Sequence, residues 1–551
     1  MTIHALNAST LFTFSPLPLW QALLLLGPTV LAAGSALLAT YRADTASAWR
    51  GARTATTAAL VLAGATLLSV LYGGGAVGFG LRADTIGGAM MLLVAFIGWV
   101  IVRYSQPYLN GEREERRYVR WLMATLAAVS VVVAANHVLL LALAWMASSV
   151  AMHRLLNFFG HRPAAVAAAH KKFIAARTAD ACMLSAAALL ASAFRTLNID
   201  EIAARAAGLS GLGLPVGAQV AALLISVAAL MKCAQLPFHG WLIQVMEAPT
   251  PVSALMHAGV VNLGGFVLLR FAPLVSGVPA TQVLLVAAGT ATAVLAALVM
   301  TTRISVKVRL AWSTCAQMGF MLMECGLGAW ELALLHLLAH SLYKAHAFLG
   351  AGGAVRQATL HRLAPSERAP GLWTLLAGAA AGLGMTALAG LVWSLLLPQQ
   401  SGAVTTWTTG VLAAIVALAL VPLLSGRAAL LGRRWLPTLL LGTFGVAASY
   451  FGLHLVFAQW VGTETRPPPA GLLEIVAVAF GLLFALQCAV TTSPQGPLVR
   501  RLYPWFYGGL FLDEKLSRVV FAVWPPPLPK AVALPLPVTE SVAYVYKEVH
   551  P

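Results

Sequence analysis

Long apolar runs follow one another along almost the whole chain and are separated by short polar loops. Each run holds about 20 residues, which is the length that an α-helix needs to cross the roughly 30 Å hydrocarbon core of a bilayer. We therefore predict an all-α polytopic membrane protein with about fifteen transmembrane helices, at 18–40, 54–75, 84–102, 119–135, 138–158, 173–194, 218–245, 251–273, 280–301, 310–328, 331–354, 371–397, 404–424, 435–458 and 470–490.

The loops between these runs differ in charge. Of the 35 lysines and arginines, 28 fall on one set of alternating loops and in the C-terminal segment, and five fall on the opposite set; Lys232 and Lys344 lie within predicted helices. Cytoplasmic loops of membrane proteins carry the excess of Lys and Arg. We therefore predict that the N-terminus lies outside and the C-terminus in the cytoplasm.

The composition excludes several classes of protein. With 60% hydrophobic and 10% charged residues, the chain falls far short of the roughly 25% charged residues typical of a soluble domain. Its net charge of +17 therefore indicates membrane topology rather than nucleic-acid binding. The five cysteines form no CxxC pair, which argues against a metal cluster or a disulfide framework. We predict no cleavable signal peptide, because no basic segment precedes the first run, and no enzyme activity of the chain by itself.

Lys232 is the first candidate functional residue. Ionisable side chains inside a bilayer are costly and mark functional sites. Lys232 lies deep in the seventh run, shortly before Pro237, a supporting residue that would open the helix and free backbone polar groups. Since burial disfavours the charged form of a lysine, Lys232 could take up and release a proton. A lysine that reaches to the membrane interface is the alternative.

The eleventh run carries a second set of titratable residues in the segment HLLAHSLYKAH. Three of them recur every four positions and so share one face of a helix: His336, His340 and Lys344. Histidine titrates near neutral pH, so this stripe could relay protons. Core packing is an alternative; a metal site is disfavoured because we see no carboxylate near these residues on the same helix.

Three further features surround these residues. His257 follows the segment MEAPTPVSALM just after the predicted helix break, and we assign it to the relay, with Glu247 in the preceding turn as a supporting residue. Arg177 and Asp180 lie one turn apart on the sixth helix, where they could steer the field near Lys232. A simple local ion pair is the alternative.

The C-terminal segment differs in character. Residues Leu502 to Trp524 are aromatic and amphipathic, which predicts an interfacial segment rather than a span. The Pro-rich stretch from Pro525 to Pro537 predicts an extended tail, either a docking arm for a cytoplasmic partner or a solvated end.

Several of these segments resemble the antiporter-like subunits of respiratory complex I and of multisubunit cation/proton antiporters. The resemblance covers about residues 80–355 and is carried by the stretches 171–180, 232–241 (KCAQLPFHGW), 246–257, 303–321 and 336–353. It implies a bacterial inner-membrane protein with two inverted repeats and broken helices around a central polar axis. The chain would then comprise N-terminal transmembrane helices (1–118), a first repeat (119–273), a second repeat (274–425), C-terminal transmembrane helices (426–495) and a cytoplasmic amphipathic, Pro-rich tail (496–551).

The resemblance also assigns roles by position. Lys232 matches the lysine of the first repeat, and the central relay is matched by His336, His340 and Lys344. The chain departs from the family at two places. Met146 stands where the family has a glutamate after the tryptophan of the fifth helix, and Asp180 is a candidate replacement. The run 371–397, where the family has a lysine or an acid, contains no ionisable residue.

Within this family, the segments FHGW (238–241) and HSLYKAH (340–346) are most similar to the DabB membrane subunits of the two-component DAB system for inorganic carbon. This implies a cation-conducting subunit, with the proton as the expected ion, that drives one-way hydration of CO2 to bicarbonate. Hydration would occur in a DabA-like peripheral partner with a carbonic-anhydrase-like zinc site on the cytoplasmic side. The zinc would belong to the partner, and this chain would hold no cofactor.

Two other hypotheses remain. The chain could be a proton-pumping or Na⁺/H⁺ antiporter subunit of a complex I-like or Mrp-like assembly, or a membrane scaffold that has lost conduction.

Overall fold

The computed structural model describes residues 15–41, 44–209, 213–244, 247–354, 356, 358–359, 370–396, 407–425, 433–462 and 468–528. The described chain is almost entirely helical, which confirms the predicted all-α class. Its strands are short and form one small sheet in the order β1 (Ser15–Pro16), β2 (Ala76–Gly78) and β3 (Leu81–Ala83). Strand β1 is parallel to β2, which is antiparallel to β3.

The first part of the chain forms helices that are mostly long and apolar. They are α1 (Leu19–Tyr41), α2 (Thr45–Gly73), α3 (Thr85–Tyr108), α4 (Glu115–Ala134), α5 (Val138–Leu156), α6 (Pro163–Phe194), α7 (Ile199–Gly208) and α8 (Val216–Lys232).

The remaining helices alternate between short segments and long spans. They are α9 (Gly240–Gln244), α10 (Thr250–Ala258), α11 (Leu263–Arg270), α12 (Ala272–Ser276), α13 (Pro279–Thr301), α14 (Val306–Gly326), α15 (Trp330–Leu349), α16 (Leu372–Leu396), α17 (Trp407–Ala419), α18 (Leu436–Val461), α19 (Leu472–Thr492), α20 (Pro497–Tyr507) and α21 (Leu512–Val523).

The predicted number of fifteen spans is not confirmed. Each predicted run coincides with a helix or with a pair of helix segments, but twelve spans in the described chain are long and apolar enough to cross a membrane. Helix α8 is shorter, with 17 residues. Helices α14 and α15 have 21 and 20 residues but lie outside the twelve; both carry buried polar residues that lower their hydropathy.

Helices α10 and α11 form the centre of the bundle. All nine residues of α10 and all eight of α11 are buried. Close packing of α11 on the end of α8 requires a glycine, because a Cβ at Gly264 would lie 2.5 Å from Cys233 Sγ and 2.8 Å from the carbonyl oxygen of Ala229. The core of the protein is therefore built around two helix interruptions that pack on each other.

The first interruption is the one predicted from the sequence. Helix α8 ends at Lys232, and helix α9 begins only at Gly240, with Pro237 between them. The second was not predicted: a 3₁₀ turn at Val260–Asn262 separates α10 from α11. The Sγ of Cys233 lies 3.2 Å from the carbonyl oxygen of Val261, so a hydrogen bond joins the two interruptions.

The C-terminal hairpin, residues 497–523, consists of α20 and α21, with 11 and 12 residues. Both helices are too short to span a bilayer, as expected for an interfacial segment. The carboxylate of Asp513 accepts hydrogen bonds from Lys171 on α6 at 3.1 Å and from Gln244 on α9 at 2.8 Å. A Cβ at Gly240 would clash with Asp513, so this glycine permits the contact. The Pro-rich tail from residue 529 onward lies outside the described residues.

A buried ion pair closes the opposite end of the bundle. Asp84 caps the N-terminus of α3 by accepting a hydrogen bond from the backbone N–H of Gly87 at 2.7 Å. Its carboxylate also contacts the guanidinium groups of Arg82, at 2.7 Å, and of Arg270 on α11. Burial by itself would raise the pKa of Asp84, but Arg270 and Arg82 outweigh burial and hold this pKa well below its usual range.

Candidate ion-conducting site

Lys232 is buried at the end of α8 and faces α5. Its amino group donates a hydrogen bond to Ser149 Oγ at 2.8 Å and lies 3.4 Å from Ser148 Oγ. The same amino group stands 4.3 Å from the centre of the Trp145 ring, which is a cation–π distance. These contacts hold the amino group of Lys232 inside the helix bundle, against α5.

Lys172 is a second buried lysine, which sequence reasoning placed in a cytoplasmic loop. That placement is wrong: α6 begins at Pro163, so Lys172 lies inside the helix, and the residue is 3% exposed. Its amino group donates to the carbonyl oxygen of Ser149 at 2.6 Å. The interaction was missed because Lys172 belongs to a basic, alanine-rich segment that resembles a loop by charge alone.

Arg177 and Asp180 form the predicted ion pair on α6, with 2.6 Å between guanidinium and carboxylate. The side chain of Asp180 is 4% exposed and interacts electrostatically with Lys232 and Lys172. Asp180 therefore brings a carboxylate to the two lysines. That Asp180 replaces the carboxylate absent at Met146 stays a prediction.

His257 lies on α10, in the middle of the bundle. Its Nδ1 is 3.1 Å from Thr314 Oγ1 on α14, and its ring stacks on Phe348 with 4.2 Å between centroids. The carbonyl oxygen of His257 lies 3.3 Å from His340 Nε2. The structure thus brings His257 against the predicted relay on α15.

The relay residues on α15 share one face of the helix, as the spacing predicts. The rings of His336 and His340 are 6.2 Å apart, and Lys344, one turn further, donates to the carbonyl oxygen of Leu310 at 3.1 Å. His340 and Lys344 are buried, and His336 is nearly so. The stripe is continuous along α15.

Glu324 on α14 is a relay neighbour that sequence reasoning missed. One of its carboxylate oxygens lies 3.0 Å from Nδ1 of His336. Glu324 was missed because only α15 was searched for acidic residues. On α15 itself, Glu331 lies in the first turn. The expectation of no nearby carboxylate on the helix of the histidines is wrong because of Glu331, and Glu324 on the neighbouring helix lay outside that expectation. The available signal was a single glutamate within the apolar segment MGFMLMECG.

Polar groups of the second interruption lie between Lys232 and the stripe on α15. Asn262 Nδ2 donates to Ser341 Oγ on α15 at 2.6 Å, and the neighbouring Val261 accepts the hydrogen bond from Cys233, which follows Lys232. Within the described chain, no side-chain hydrogen bond directly joins Lys232 to His257. The two interruptions therefore connect the lysine pair to the histidine stripe.

Glu247 does not belong to this site. It lies outside the core, 3.8 Å from Arg162, and both side chains are exposed. Its predicted supporting role is therefore limited to the turn before α10. Among the residues that the structure describes, no group of three or more His, Cys, Asp or Glu side chains is placed to hold a metal ion.

Comparison with known proteins agrees with this architecture. The family described as "NADH:quinone oxidoreductase/Mrp antiporter, TM" matches residues 135–420, and "NADH-Ubiquinone oxidoreductase (complex I), chain 5 N-terminus" matches residues 59–119. The Mrp complex from Dietzia sp. has a similar fold, with a TM-score of 0.62 and 24% identity, covering 92% of this chain and 59% of that one.

Two curated relatives are similar over most of their length. The probable inorganic carbon transporter subunit DabB of Hydrogenovibrio crunogenus is 44% identical over 80% of this chain and 82% of its own. The probable subunit DabB2 of Halothiobacillus neapolitanus is 39% identical over 79% and 78%. The chain therefore belongs to the DabB family of inorganic carbon transporter subunits, within the antiporter-like proteins related to complex I and Mrp.

Proposed function

We propose that this chain is the cation-conducting membrane subunit of a two-component inorganic carbon accumulation complex, and that the cation is the proton. The membership in the DabB family supports the carbon-transport context. The observation that carries the conducting role is the buried row of titratable side chains on α15, with His257 packed against it.

The energetic cost of these residues supports a functional role. An ionisable side chain near the centre of a bilayer costs several kcal/mol unless it is paired or hydrated. Beside the electrostatic interaction of Asp180 with Lys172 and Lys232, the hydrogen-bond partners of the buried lysines carry no charge: they are the Ser149 hydroxyl and carbonyl, and the carbonyl of Leu310. Such partners accommodate both the charged and the neutral lysine, as a reversible proton carrier requires.

In the proposed path, a proton moves from the lysine pair, Lys172 and Lys232, at the first helix interruption to the relay on α15, or in the reverse direction. Asn262 and Ser341 lie between these two groups and supply polar atoms along the way. Histidines then carry the proton along α15, because imidazole exchanges protons near neutral pH.

We propose an inner-membrane location with the N-terminus outside and the C-terminus in the cytoplasm, supported by the distribution of basic residues. On this orientation, the C-terminal hairpin lies on the cytoplasmic face, and Asp513 joins it to α6 and α9 beside the lysine pair. The partner is a DabA-like peripheral protein with a carbonic-anhydrase-like zinc site. Proton flow through this chain drives one-way hydration of CO2 to bicarbonate in the partner, which holds the zinc.

A second candidate function is a proton-pumping or Na⁺/H⁺ antiporter subunit of a complex I-like or Mrp-like assembly. The fold shared with the Mrp complex favours it. Two features disfavour it: Met146 replaces the usual carboxylate on α5, and residues 371–397 contain no ionisable side chain.

Two measurements test the proposal. Mass spectrometry of the proteins that co-purify with the tagged chain in mild detergent should find one large zinc-containing peripheral partner in about equal amount. Several further membrane subunits would favour the second candidate instead. In cells that depend on this complex for bicarbonate, Lys344→Met should abolish inorganic carbon accumulation while the complex still assembles. Full accumulation of inorganic carbon in that variant would contradict the conducting role and favour the alternative of a membrane scaffold that has lost conduction.

A further inference from the structure

A cavity of about 770 Å³ opens beside the histidine end of the relay. It lies between α13, α14 and α15 on one side and α17, α18 and α19 on the other. The polar side chains that line it include Glu324, His336, His340 and Tyr450. Helix α18, to which the sequence analysis assigned no role, therefore faces the His336 end of the relay across this cavity.

The polar side chains continue beyond His336 toward the end of the bundle. Glu324 lies 3.0 Å from His336, and Glu331 interacts electrostatically with Glu324. Glu331 Oε1 in turn lies 3.4 Å from Nδ1 of His454 on α18. The hydroxyl of Tyr450, one turn before His454, is buried and interacts electrostatically with both glutamates. These interactions bring side chains of α14, α15 and α18 into one polar cluster, in which His336–Glu324 and Glu331–His454 are the close contacts.

The cluster lies where three helices reach the same end of the bundle. Glu324 is near the end of α14, Glu331 is in the first turn of α15, and His454 is in the last two turns of α18. The C-terminal hairpin lies beside the first residues of α6 and beside α9, at the other end of the chain's spans. In the proposed orientation, the cluster is on the outer side of the membrane.

We propose that protons pass between the outer aqueous phase and the central row through Glu324, Tyr450 and the Glu331–His454 pair. This outer half-path rests on the proposed function and deepens it. It is built by α14, α15 and α18, and it takes the place of a path through α16, whose 25 residues include no ionisable side chain. Glu331 and His454 form the outermost carrier, since Oε1 of the carboxylate and Nδ1 of the imidazole lie 3.4 Å apart at the outer end of the cluster.

A purely structural role for the Glu331–His454 pair makes a different prediction. A structural ion pair would affect the amount of folded protein, whereas a carrier affects flux per folded molecule. Glu331→Gln keeps the shape and a polar contact to His454 but cannot carry a proton. Tyr450→Phe removes only one hydroxyl group. Glu474→Gln is a matched control, because Glu474 is an exposed glutamate in the first turn of α19, outside the cluster.

The experiment measures proton flux into vesicles that contain the complete complex, with a trapped pH dye and an imposed potassium diffusion potential. We expect Glu331→Gln and His454→Gln each to slow flux by about 100-fold, the lower end of what a positioned proton-transfer group contributes. The double variant should be no slower than either single variant, because both residues serve one step. Glu474→Gln should conduct like the wild type.

The other outcomes separate this inference from the proposed function. If Lys344→Met stops flux but Glu331→Gln and His454→Gln conduct normally, the outer half-path is wrong and the relay stands. If Lys344→Met also conducts normally, the proposed function is wrong as well. Should the variants of the pair fail to accumulate in membranes, Tyr450→Phe decides: slowed flux supports the path, and unchanged flux overturns it.

Discussion

The amino groups of Lys172 and Lys232 meet at a single residue of a third helix. Lys172 donates to the carbonyl oxygen of Ser149 at 2.6 Å, and Lys232 donates to the hydroxyl of the same residue at 2.8 Å. Ser149 on α5 therefore holds two ionisable amino groups, one from α6 and one from α8, at two atoms of a single residue.

Ser149→Ala should weaken conduction by removing the hydroxyl that holds Lys232, while the carbonyl that holds Lys172 remains. A hydrogen bond to a charged group contributes about 1.5–3 kcal/mol, which corresponds to a roughly tenfold or larger loss of flux. Flux in reconstituted vesicles measures the effect. Ser148→Ala is the control, since Ser148 Oγ lies 3.4 Å from Lys232 and its loss should matter less. Equal flux in both variants would contradict the assigned role of Ser149.

His340→Ala should abolish inorganic carbon accumulation without preventing assembly with the partner. His340 is buried between His336 and Lys344 and contacts the backbone of His257, so its loss interrupts the row. His346→Ala is a matched control on the same helix, because His346 is exposed. Uptake of labelled bicarbonate and the amount of complex in membranes are both measured. Loss of the protein from membranes in His340→Ala alone would mark the residue as structural.

Asp84→Asn should destabilise the protein by about 3–5 kcal/mol, because it leaves the buried guanidinium group of Arg270 without its charge partner. Tryptophan fluorescence during unfolding in detergent measures the change. Asp44→Asn is the control: Asp44 also caps a helix, α2, but its side chain is exposed, and asparagine caps a helix equally well. A similar loss of stability in both variants would contradict the importance of the ion pair.

The same ion pair predicts a dependence of stability on pH. The pKa of Asp84 is lowered in the folded protein, so this residue binds a proton more readily in the unfolded chain. Its stabilising contribution is thus fully present above the ordinary carboxyl pKa of about 4 and is lost as the pH falls through the lowered value. Unfolding measured from neutral to acid pH should show a smaller acid-induced loss in Asp84→Asn than in the wild type. An unchanged acid dependence would show that other carboxyl groups dominate.

Asp513→Ala should release the C-terminal hairpin from the bundle. The carboxylate of Asp513 holds both Lys171 and Gln244, and no other side chain of the described hairpin contacts these two residues through a hydrogen bond. Limited proteolysis at the hairpin should become at least about tenfold faster, because each of the lost charge-assisted hydrogen bonds contributes roughly 1.5–3 kcal/mol. Glu514→Ala is the control, because the neighbouring Glu514 is exposed. Equal cleavage rates in the two variants would contradict the anchoring role of Asp513.

The sequence by itself determined the membrane class, the order of the helices and the residues of the α15 stripe. These features are local: an apolar run long enough to span a bilayer, a proline after Lys232, and a four-residue spacing that places His336, His340 and Lys344 on one face. The predicted number of fifteen spans stays unconfirmed, because α8 is short and α14 and α15 mix apolar residues with buried polar ones.

Only the tertiary structure decided which residues are partners. Glu324 meets His336 across 12 positions, Lys172 meets Ser149 across 23, and Asp513 meets Lys171 across 342. The cost of placing a charge in a bilayer depends on the residue and its immediate neighbours, so the sequence shows which side chains need a partner. Which partner each one finds depends on how helices distant in the chain pack together, and no local pattern contains that information.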